Sequence, residues 1–229
     1  MLIPGLSNRD AESVFVGTTQ AAAVYLGTTL VWPNVTQGTG VMGEQLIINP
    51  TNDAAGTMQR LIIPAAATKF DVVLIGGGGG GGDGGTLGPG EGGICGVWQT
   101  GTYTVGPSGD YPAGHNLILY AGAGGAGGTA LVNTGGVQGG SSGLLDKNEA
   151  QILVGPGGKP NKAPDRNGLT PPDITYNGRT YKGGAGGVSA NQNGVNGTAP
   201  GGGGQGGNDQ ATGANGGKGG SGGVYLYFY

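Results

Sequence analysis

Side chains that could carry chemistry are few in this 229-residue chain, which has one histidine, His115, and one cysteine, Cys95. These counts exclude a zinc site built from several Cys and His ligands and a disulfide within the chain. The acidic residues, among them Glu91, Asp110 and Asp165, stand apart in loop-like sequence and form no pair suited to glycosidase chemistry. We therefore expect no catalytic residue, no metal and no cofactor.

One segment imitates a dinucleotide-binding fingerprint. Residues 70–76 read Phe-Asp-Val-Val-Leu-Ile-Gly and are followed by further glycines, like a strand and its first turn. That fingerprint needs a helix directly after the turn, because the helix N-terminus binds the pyrophosphate. Residues 83–96 are too rich in glycine to form a helix. A dinucleotide-binding enzyme therefore stays only as a minor alternative.

Two other chemical motifs are incomplete. Gly217-Lys218-Gly219 lacks the hydroxyl residue that follows lysine in a phosphate-binding loop. His115 comes just before a predicted strand, with no serine or cysteine nucleophile near it in the sequence. We interpret it as a solvated loop histidine.

The composition raises the question of disorder. The chain contains 59 glycines and 13 prolines, a share that is typical of disordered, low-complexity proteins when no strict repeat is present. However, only 10% of the residues are charged and the net charge is −3, whereas disordered chains usually rely on charge to stay soluble. We predict a folded protein, and the weak negative charge argues against nucleic acid as a partner.

Three segments can be distinguished. Residues 1–36 contain two similar β-forming runs, Val-Phe-Val-Gly-Thr-Thr at 14–19 and Val-Tyr-Leu-Gly-Thr-Thr at 24–29, which predict a small β module. Residues 37–57 are interpreted as a linker with one strand at 45–48, and residues 58–229 as a glycine-rich domain. No stretch is long and apolar enough for a membrane span, and no secretory signal is visible.

Short runs of β-forming residues predict a mainly β, sandwich-like domain. They lie at 61–64, 70–75, 97–98, 102–105, 117–120, 151–154, 174–181 and 224–229. Asn177-Gly178 predicts a type I′ hairpin turn, since both central residues of that turn need a positive φ. In the last run, alternation places Val224, Leu226 and Phe228 on one face.

The glycines follow a period of three. Gly-Gly-X units recur in separate tracts, with X at Ala123, Ala126 and Thr129 in one and at Asn215, Lys218 and Ser221 in another. Three residues per turn is the repeat of the extended polyproline II helix, which has no internal hydrogen bonds. Bare glycine edges let such helices approach closely and bond laterally. We predict a stack of polyglycine helices packed against the β-strands.

Ordering so much glycine is costly. At ~0.5–1 kcal/mol per glycine relative to alanine, the penalty is several times the ~5–15 kcal/mol net stability of a domain. Dense contacts between tracts must offset it. This argument predicts a homo-oligomer, most simply a trimer, as a source of further contacts.

The order of these segments resembles a glycine-rich domain of minor tail proteins in tailed phages. The likeness is carried by Ile-Ile-Pro-Ala and Phe-Asp-Val-Val-Leu-Ile before the polyglycine run, and by Gly-Gly-Ser-Gly-Gly before the last strand. Residues 24–33 are similar to segments in tail-tip proteins of phages of actinobacteria. The resemblance implies a structural virion protein at the tail tip or fibre, assembled in the host cytoplasm.

The resemblance also implies partners. These are other phage tail proteins, which we expect to contact the N-terminal module through Val24, Tyr25, Leu26 and Trp32, and a bacterial surface glycan or protein. Since aromatic side chains often anchor such contacts, we predict receptor-contact candidates, namely Trp98, Tyr103, Tyr111 and Tyr176. Another function class stays open: a free ice-binding or surface-active protein built from polyglycine helices.

Overall fold

The structure of the protein is a computed structural model. The structure describes residues 15–16, 19–20, 24–26, 29–32, 36–40, 42–43, 45–48, 57–85, 88–130, 135–146, 150–188, 193–208 and 213–229. Within these ranges the regular elements are all β-strands, so the expected mainly β fold is confirmed. No helix in the described ranges could cross a membrane.

The strands are numbered in chain order. They are β1 (Phe15–Val16), β2 (Thr19–Gln20), β3 (Val24–Leu26), β4 (Thr29–Trp32), β5 (Thr36–Thr39), β6 (Gln45–Ile48), β7 (Thr57–Ile62), β8 (Lys69–Ile75), β9 (Trp98–Thr104), β10 (Asn116–Ala121), β11 (Ser142–Leu145), β12 (Gln151–Gly155), β13 (Ile174–Tyr176), β14 (Arg179–Tyr181) and β15 (Gly223–Phe228).

Two sheets form the main β-structure. One has the order β12-β11-β10-β7-β5 and the other β6-β15-β8-β9. Their neighbouring strands pair antiparallel, except for the parallel pair β5–β7. Strand β6 is the one predicted inside residues 37–57, whereas β5 was not anticipated. The segment interpreted as a linker thus contributes to both sheets.

The core lies between the two sheets and follows the two-residue alternation of their strands. Phe70, Val72 and Leu74 of β8 are fully buried there. The predicted common face of β15 is confirmed, because Val224, Leu226 and Phe228 belong to the same buried cluster. The five-stranded sheet supplies the opposite side through Leu61, Leu117, Leu119 and Leu144.

Strands β13 and β14 form a hairpin that covers the outer face of the four-stranded sheet. The predicted turn is confirmed, since Asn177 and Gly178 both have positive φ angles of 45° and 77°. Tyr181 of the hairpin packs on Tyr225 of β15, with 5.2 Å between the ring centroids.

The N-terminal strands form small hairpins. Strand β1 pairs with β2 and β3 pairs with β4, and each makes a two-stranded sheet of its own. The docking candidates Val24, Tyr25, Leu26 and Trp32 lie on β3 and β4. Their side chains fall outside the described part of the structure, so docking stays a prediction.

Candidate functional site: the glycine lattice and its loop end

Residues 76–82 continue directly from β8 as an extended glycine tract. The N–H groups of Gly77 and Gly80 donate to the carbonyls of Gly140 and Val137, both at 2.9 Å. The next residue of each triplet donates to the tract 215–222, and the third donates to the tract 90–96. Every third residue therefore meets the same neighbour, as the threefold repeat of the polyglycine helix requires.

The carbonyls of the same tract are used equally regularly. Gly125 and Gly128 donate to Gly78 and Gly81 at 2.8 and 2.9 Å. The tract 156–161 donates to the carbonyls of Gly77 and Gly80, and the tract 201–207 donates to those of Gly79 and Gly82. Among the described residues, six tracts thus enclose residues 76–82 and take part in its backbone hydrogen bonds. The prediction of stacked polyglycine helices is confirmed.

A second tract, residues 201–207, is enclosed in the same way. It bonds to the tracts 76–82, 90–96, 165–170, 183–188, 193–198 and 215–222. Together with 122–128, 135–140 and 156–161, these tracts form what we call the glycine lattice. Their hydrogen bonds define three layers. The first layer contains the tracts 122–128, 215–222 and 193–198. The middle layer contains 135–140, 76–82, 201–207 and 183–188, and the third contains 156–161, 90–96 and 165–170.

The sequence of a tract matches its place in the lattice. Residues 76–82, in the interior, are glycine without exception. A Cβ atom added at Gly80 would overlap the backbone carbonyl of Ala126. On perimeter tracts the X residues of Gly-Gly-X point outward, since Ala126, Val137 and Lys218 are exposed. A tract therefore has glycine on each side that faces a neighbouring tract, and it has the X residue on the side that faces solvent.

Side-chain amides replace backbone partners where tracts end or diverge. Asn161 has a φ of 45°, and its Oδ1 accepts the N–H of Gly136 at 3.0 Å. Asn193 and Asn196, three residues apart, accept the N–H groups of Asn215 and Lys218 at 3.1 and 2.8 Å. These amide oxygens accept hydrogen bonds from backbone N–H groups that would otherwise have no partner at the lattice edge.

Gln205 is the exception within an interior tract. Its side chain is fully buried; its Oε1 accepts the N–H of Val195 at 3.1 Å and its Nε2 donates to Asn167 at 3.3 Å. The register places Gln205 beside the point where tract 183–188 ends, because Gly202, one repeat earlier, faces Ala185. Its two side-chain hydrogen bonds link the tracts 193–198 and 165–170.

Sequence reasoning did not identify these amides as structural residues. The available signal was their position, since Gln205 interrupts a glycine run, and Asn193 and Asn196 keep the period of three.

All the tract ends that are remote from the sheets gather at one end of the lattice, which we call the loop end. Strands β8, β10 and β12 lead into tracts that run away from the sheets, and the tracts 90–96, 135–140 and 215–222 lead back into β9, β11 and β15. Described residues at the loop end include the charged side chains of Asp83, Glu91, Lys162, Asp165 and Arg166.

The loop end is held in place by its own hydrogen bonds. Gly84 and Ala214 exchange two backbone bonds of 2.8 and 3.0 Å, which join the ends of two tracts. Asp165 accepts the N–H of Asn167 at 2.7 Å, and the Arg166 Nε donates to the carbonyl of Gly206 at 2.9 Å. The Gly84–Ala214 and Arg166–Gly206 bonds join the described ends of neighbouring tracts to one another.

The four aromatic contact candidates lie with the sheets and not at the loop end. Tyr103 and Tyr111 pack around Phe70, at centroid distances of 5.2 and 5.6 Å. Burial, the charge of Asp110 nearby and other neighbours raise the pKa of Tyr111 to about 12. The Trp98 indole packs on Tyr225 and donates to the Pro172 carbonyl at 2.8 Å.

Tyr176, the fourth candidate, shares a 2.8 Å hydrogen bond with Thr102. The structure therefore separates the candidates into two groups, Tyr103 with Tyr111 and Trp98 with Tyr176, and gives each a packing role. Receptor contact through them stays a prediction.

The residues considered for other chemistry are placed as follows. His115 packs on Tyr111, with 5.3 Å between ring centroids. Burial raises the pKa of the half-buried Cys95 thiol, which lowers its reactivity. The glycines after β8 form the enclosed tract 76–82, where a dinucleotide-binding fold needs a helix. The described residues bring together no cluster of His, Cys, Asp and Glu suited to a metal.

A family model described as a glycine-rich domain matches residues 51–229. None of the curated proteins matches the chain significantly. The matched region begins shortly before β7 and includes the whole glycine lattice together with the strands that lead into it.

Proposed function

We propose that this chain, which belongs to the glycine-rich domain family, is a structural protein of a phage tail, at the tip or on a fibre. The resemblance of its segment order to that of phage minor tail proteins supports the proposal. In this role the protein displays the loop end and acts without catalysis. The observation that carries the proposal is the lattice itself, in which backbone bonds hold the tract ends on one rigid platform.

A lattice of this kind suits display because its rigidity does not depend on side-chain packing. The outward X positions and the loop-end residues can therefore change without disturbing the interior glycines. Surface loops on a rigid scaffold are the usual carriers of recognition. The ligand we propose is a glycan or protein of the bacterial surface.

The remaining parts of the proposal concern assembly. The N-terminal hairpins β1–β2 and β3–β4 would dock on other tail proteins, since hairpins of this size are marginal alone. The homo-oligomer, most simply a trimer, also stays part of the proposal. Its energetic argument is weaker now, because one chain by itself encloses both interior tracts. Light scattering on the purified protein tests it, and a monomeric mass would contradict it.

Location in the virion is tested by labelling two ends of the molecule. Ser108→Cys and Lys162→Cys, each in a Cys95→Ser background, place an exposed thiol beyond the sheets or at the loop end. Intact virions are labelled with maleimide–gold and imaged. We expect gold on the tail, with the Lys162 position further outward than the Ser108 position. Virions without this polypeptide would contradict the whole proposal.

Adhesion is tested separately with the same variants. A bulky maleimide adduct at Lys162 should slow adsorption to host cells, whereas the adduct at Ser108 should leave it unchanged. Equal adsorption rates would eliminate recognition through the loop end and leave an architectural role.

A second candidate function, ice binding, is favoured by one observation. The layer of tracts 122–128, 215–222 and 193–198 presents small residues at a regular spacing, including Ala123 and Ala126. The exposed charge of Lys218 in the middle tract weakens this reading. Thermal hysteresis of the purified protein decides the matter, and its absence would remove this candidate.

A further inference from the structure

The β13–β14 hairpin is attached to the four-stranded sheet by side chains. Its two strands pair with each other in a separate two-stranded sheet. The hydrogen bonds from residues 174–181 to the four-stranded sheet and its C-terminal Tyr229 use the side chains of Tyr176, Asn177 and Arg179. Lifting the hairpin would therefore break no backbone ladder between hairpin and sheet.

A buried carboxylate lies beneath the hairpin tip. Asp71 of β8 is only 2% exposed. It accepts hydrogen bonds from the Thr102 hydroxyl at 2.6 Å, the Asn177 amide at 2.9 Å and the Tyr229 hydroxyl at 2.6 Å. A buried charge is costly unless it keeps such donors. Asp71 thus favours the position of the hairpin in which Asn177 reaches it.

The positively charged side chains of Arg179 and Lys69 contact Tyr229, which in turn donates a hydrogen bond to Asp71. Arg179 Nη1 donates to the Tyr229 hydroxyl at 2.8 Å, and its guanidinium lies 3.2 Å from the Tyr227 ring centroid. Lys69 lies 4.2 Å from the Tyr229 centroid. Burial and the hydrogen bond to Asp71 raise the pKa of Tyr229, so its hydroxyl keeps its proton and remains a donor.

The hairpin covers an aromatic surface. Val73 and Tyr225 of the sheet are buried with Tyr181 of the hairpin, and Trp98, Ile174 and Tyr176 pack against them. Removing the hairpin would expose Tyr225 and the Trp98 ring together.

The ends of the hairpin are fixed by the lattice. Gly184 donates to the Pro200 carbonyl at 2.8 Å, and Gly168 donates to the Gly187 carbonyl at 3.0 Å. The Gly183 N–H also donates to Asp173 Oδ1 at 3.1 Å, which joins the two ends of the hairpin. The segment is therefore tethered at its base, while its tip rests on Asp71.

We propose that the β13–β14 hairpin is a strap over the aromatic face of Trp98 and Tyr225, and that Asp71 with Asn177 is its catch. The closed state is the one described above. In the open state the strap swings about residues 171–173 and 182–183 and exposes the aromatic face. The strap proposal does not depend on the proposed location of the protein in a virion.

The sharpest test places a second carboxylate at the catch. Asn177→Asp keeps the side-chain shape but removes the donor and opposes two like charges. Asn208→Asp, an equivalent change remote from the hairpin, is the control. All variants also carry Trp32→Phe, so that the tryptophan fluorescence comes from Trp98 alone. We expect acrylamide quenching of Trp98 to rise at least about twofold, and amide exchange in residues 174–181 to accelerate at least about tenfold, since a detached hairpin is marginal.

Two further measurements keep the test decisive. Amides of residues 76–82 should exchange as slowly as in the parent protein, which separates strap opening from unfolding. Asp71→Asn, which keeps an acceptor but removes the charge, should open the strap less than Asn177→Asp. If Trp98 quenching and hairpin exchange in both catch variants match those of the Asn208→Asp control, the strap proposal is wrong.

Discussion

The sandwich and the glycine lattice reach a compact state by opposite means. In the sandwich, alternating side chains such as Phe70 and Leu74 exclude water between two sheets. In the lattice, neighbouring backbones touch directly and the side chains are absent from the interior, apart from Gln205. A side-chain core adapts to changes in shape, because side chains can repack. A backbone core has nothing that can repack.

The difference also separates the two proposed roles within one chain. Aromatic residues are confined to the sheets, the hairpin and their connections, and the sequence of the lattice tracts contains none. The lattice offers fixed geometry at the loop end, whereas the sandwich offers aromatic surface beneath a strap. Substitutions in the two regions should therefore differ in how strongly they destabilise the protein.

The largest effect is expected from one methyl group in the lattice interior. Gly80→Ala places a Cβ against the carbonyl of Ala126, and neighbouring backbone cannot shift without breaking other bonds. We expect a loss of about 4 kcal/mol or more in the free energy of unfolding, measured by denaturant titration. Gly85→Ala is the control, because no atom lies within 4 Å of its Cβ position. Equal stability of the two variants would contradict the backbone core.

The sandwich should respond in a graded way. Leu74 is fully buried between the sheets. Leu74→Ala should cost about 3 kcal/mol through lost burial and a cavity, whereas Leu74→Met should cost less than about 1.5 kcal/mol because the volume is kept. Denaturant titration of both variants measures the ratio. A Met variant as unstable as the Ala variant would mean that the sandwich is as intolerant as the lattice.

The amide that fills the lattice should have an intermediate effect. Gln205→Ala leaves the N–H of Val195 without its side-chain acceptor. We expect a loss of about 1–2 kcal/mol, the lower part of the range for an unpaired group, because this hydrogen bond is only part-buried. The exposed Gln138→Ala is the matched control and should change stability by less than about 0.5 kcal/mol. Hydrogen exchange at Val195 reports the local effect directly. Unchanged exchange there would show that the amide is dispensable.

The smallest effect is expected at alkaline pH, and it concerns the sandwich. The pKa of Tyr111 is raised to about 12, mainly by burial, while an unfolded tyrosine titrates near pH 10. Between these values the unfolded state binds fewer protons, so stability is complete below about pH 10 and falls as the pH approaches 12. Tyr111→Phe should lose less stability over this range, as followed by circular dichroism. A parallel loss in both proteins would contradict the assignment.

Much of the sandwich could be predicted from the sequence. The runs at 70–75, 117–120 and 224–229 are rich in β-branched, leucine and aromatic residues, and each becomes a strand. Strand β11 was not predicted, because Ser142-Gly143-Leu144-Leu145 has no strong β-forming residue. It becomes a strand through pairing with β10 and β12, and Gly143 lies against the ring of Tyr120.

The sequence predicted that the candidate site consists of polyglycine helices, but it did not predict how these helices are arranged. The period of three indicated polyglycine helices, and the unbroken run at 76–82 matches an interior position. The neighbours of each tract could not be predicted, because one Gly-Gly-X tract looks like another. The aromatic residues at 103 and 111 suggested contact surface from composition, whereas the structure packs them around Phe70.

Local conformation follows from the amino-acid sequence, namely the alternating strands, the Asn177-Gly178 turn and the extended glycine tracts. The tertiary structure decided which tracts enclose 76–82 and 201–207, which amides close the lattice, and why Asp71 lies beneath a hairpin 106 residues further along the chain. The reason is that a polyglycine helix makes no hydrogen bonds within itself. Its partners lie on other tracts, some near and some distant in sequence, and the register of the whole assembly selects them.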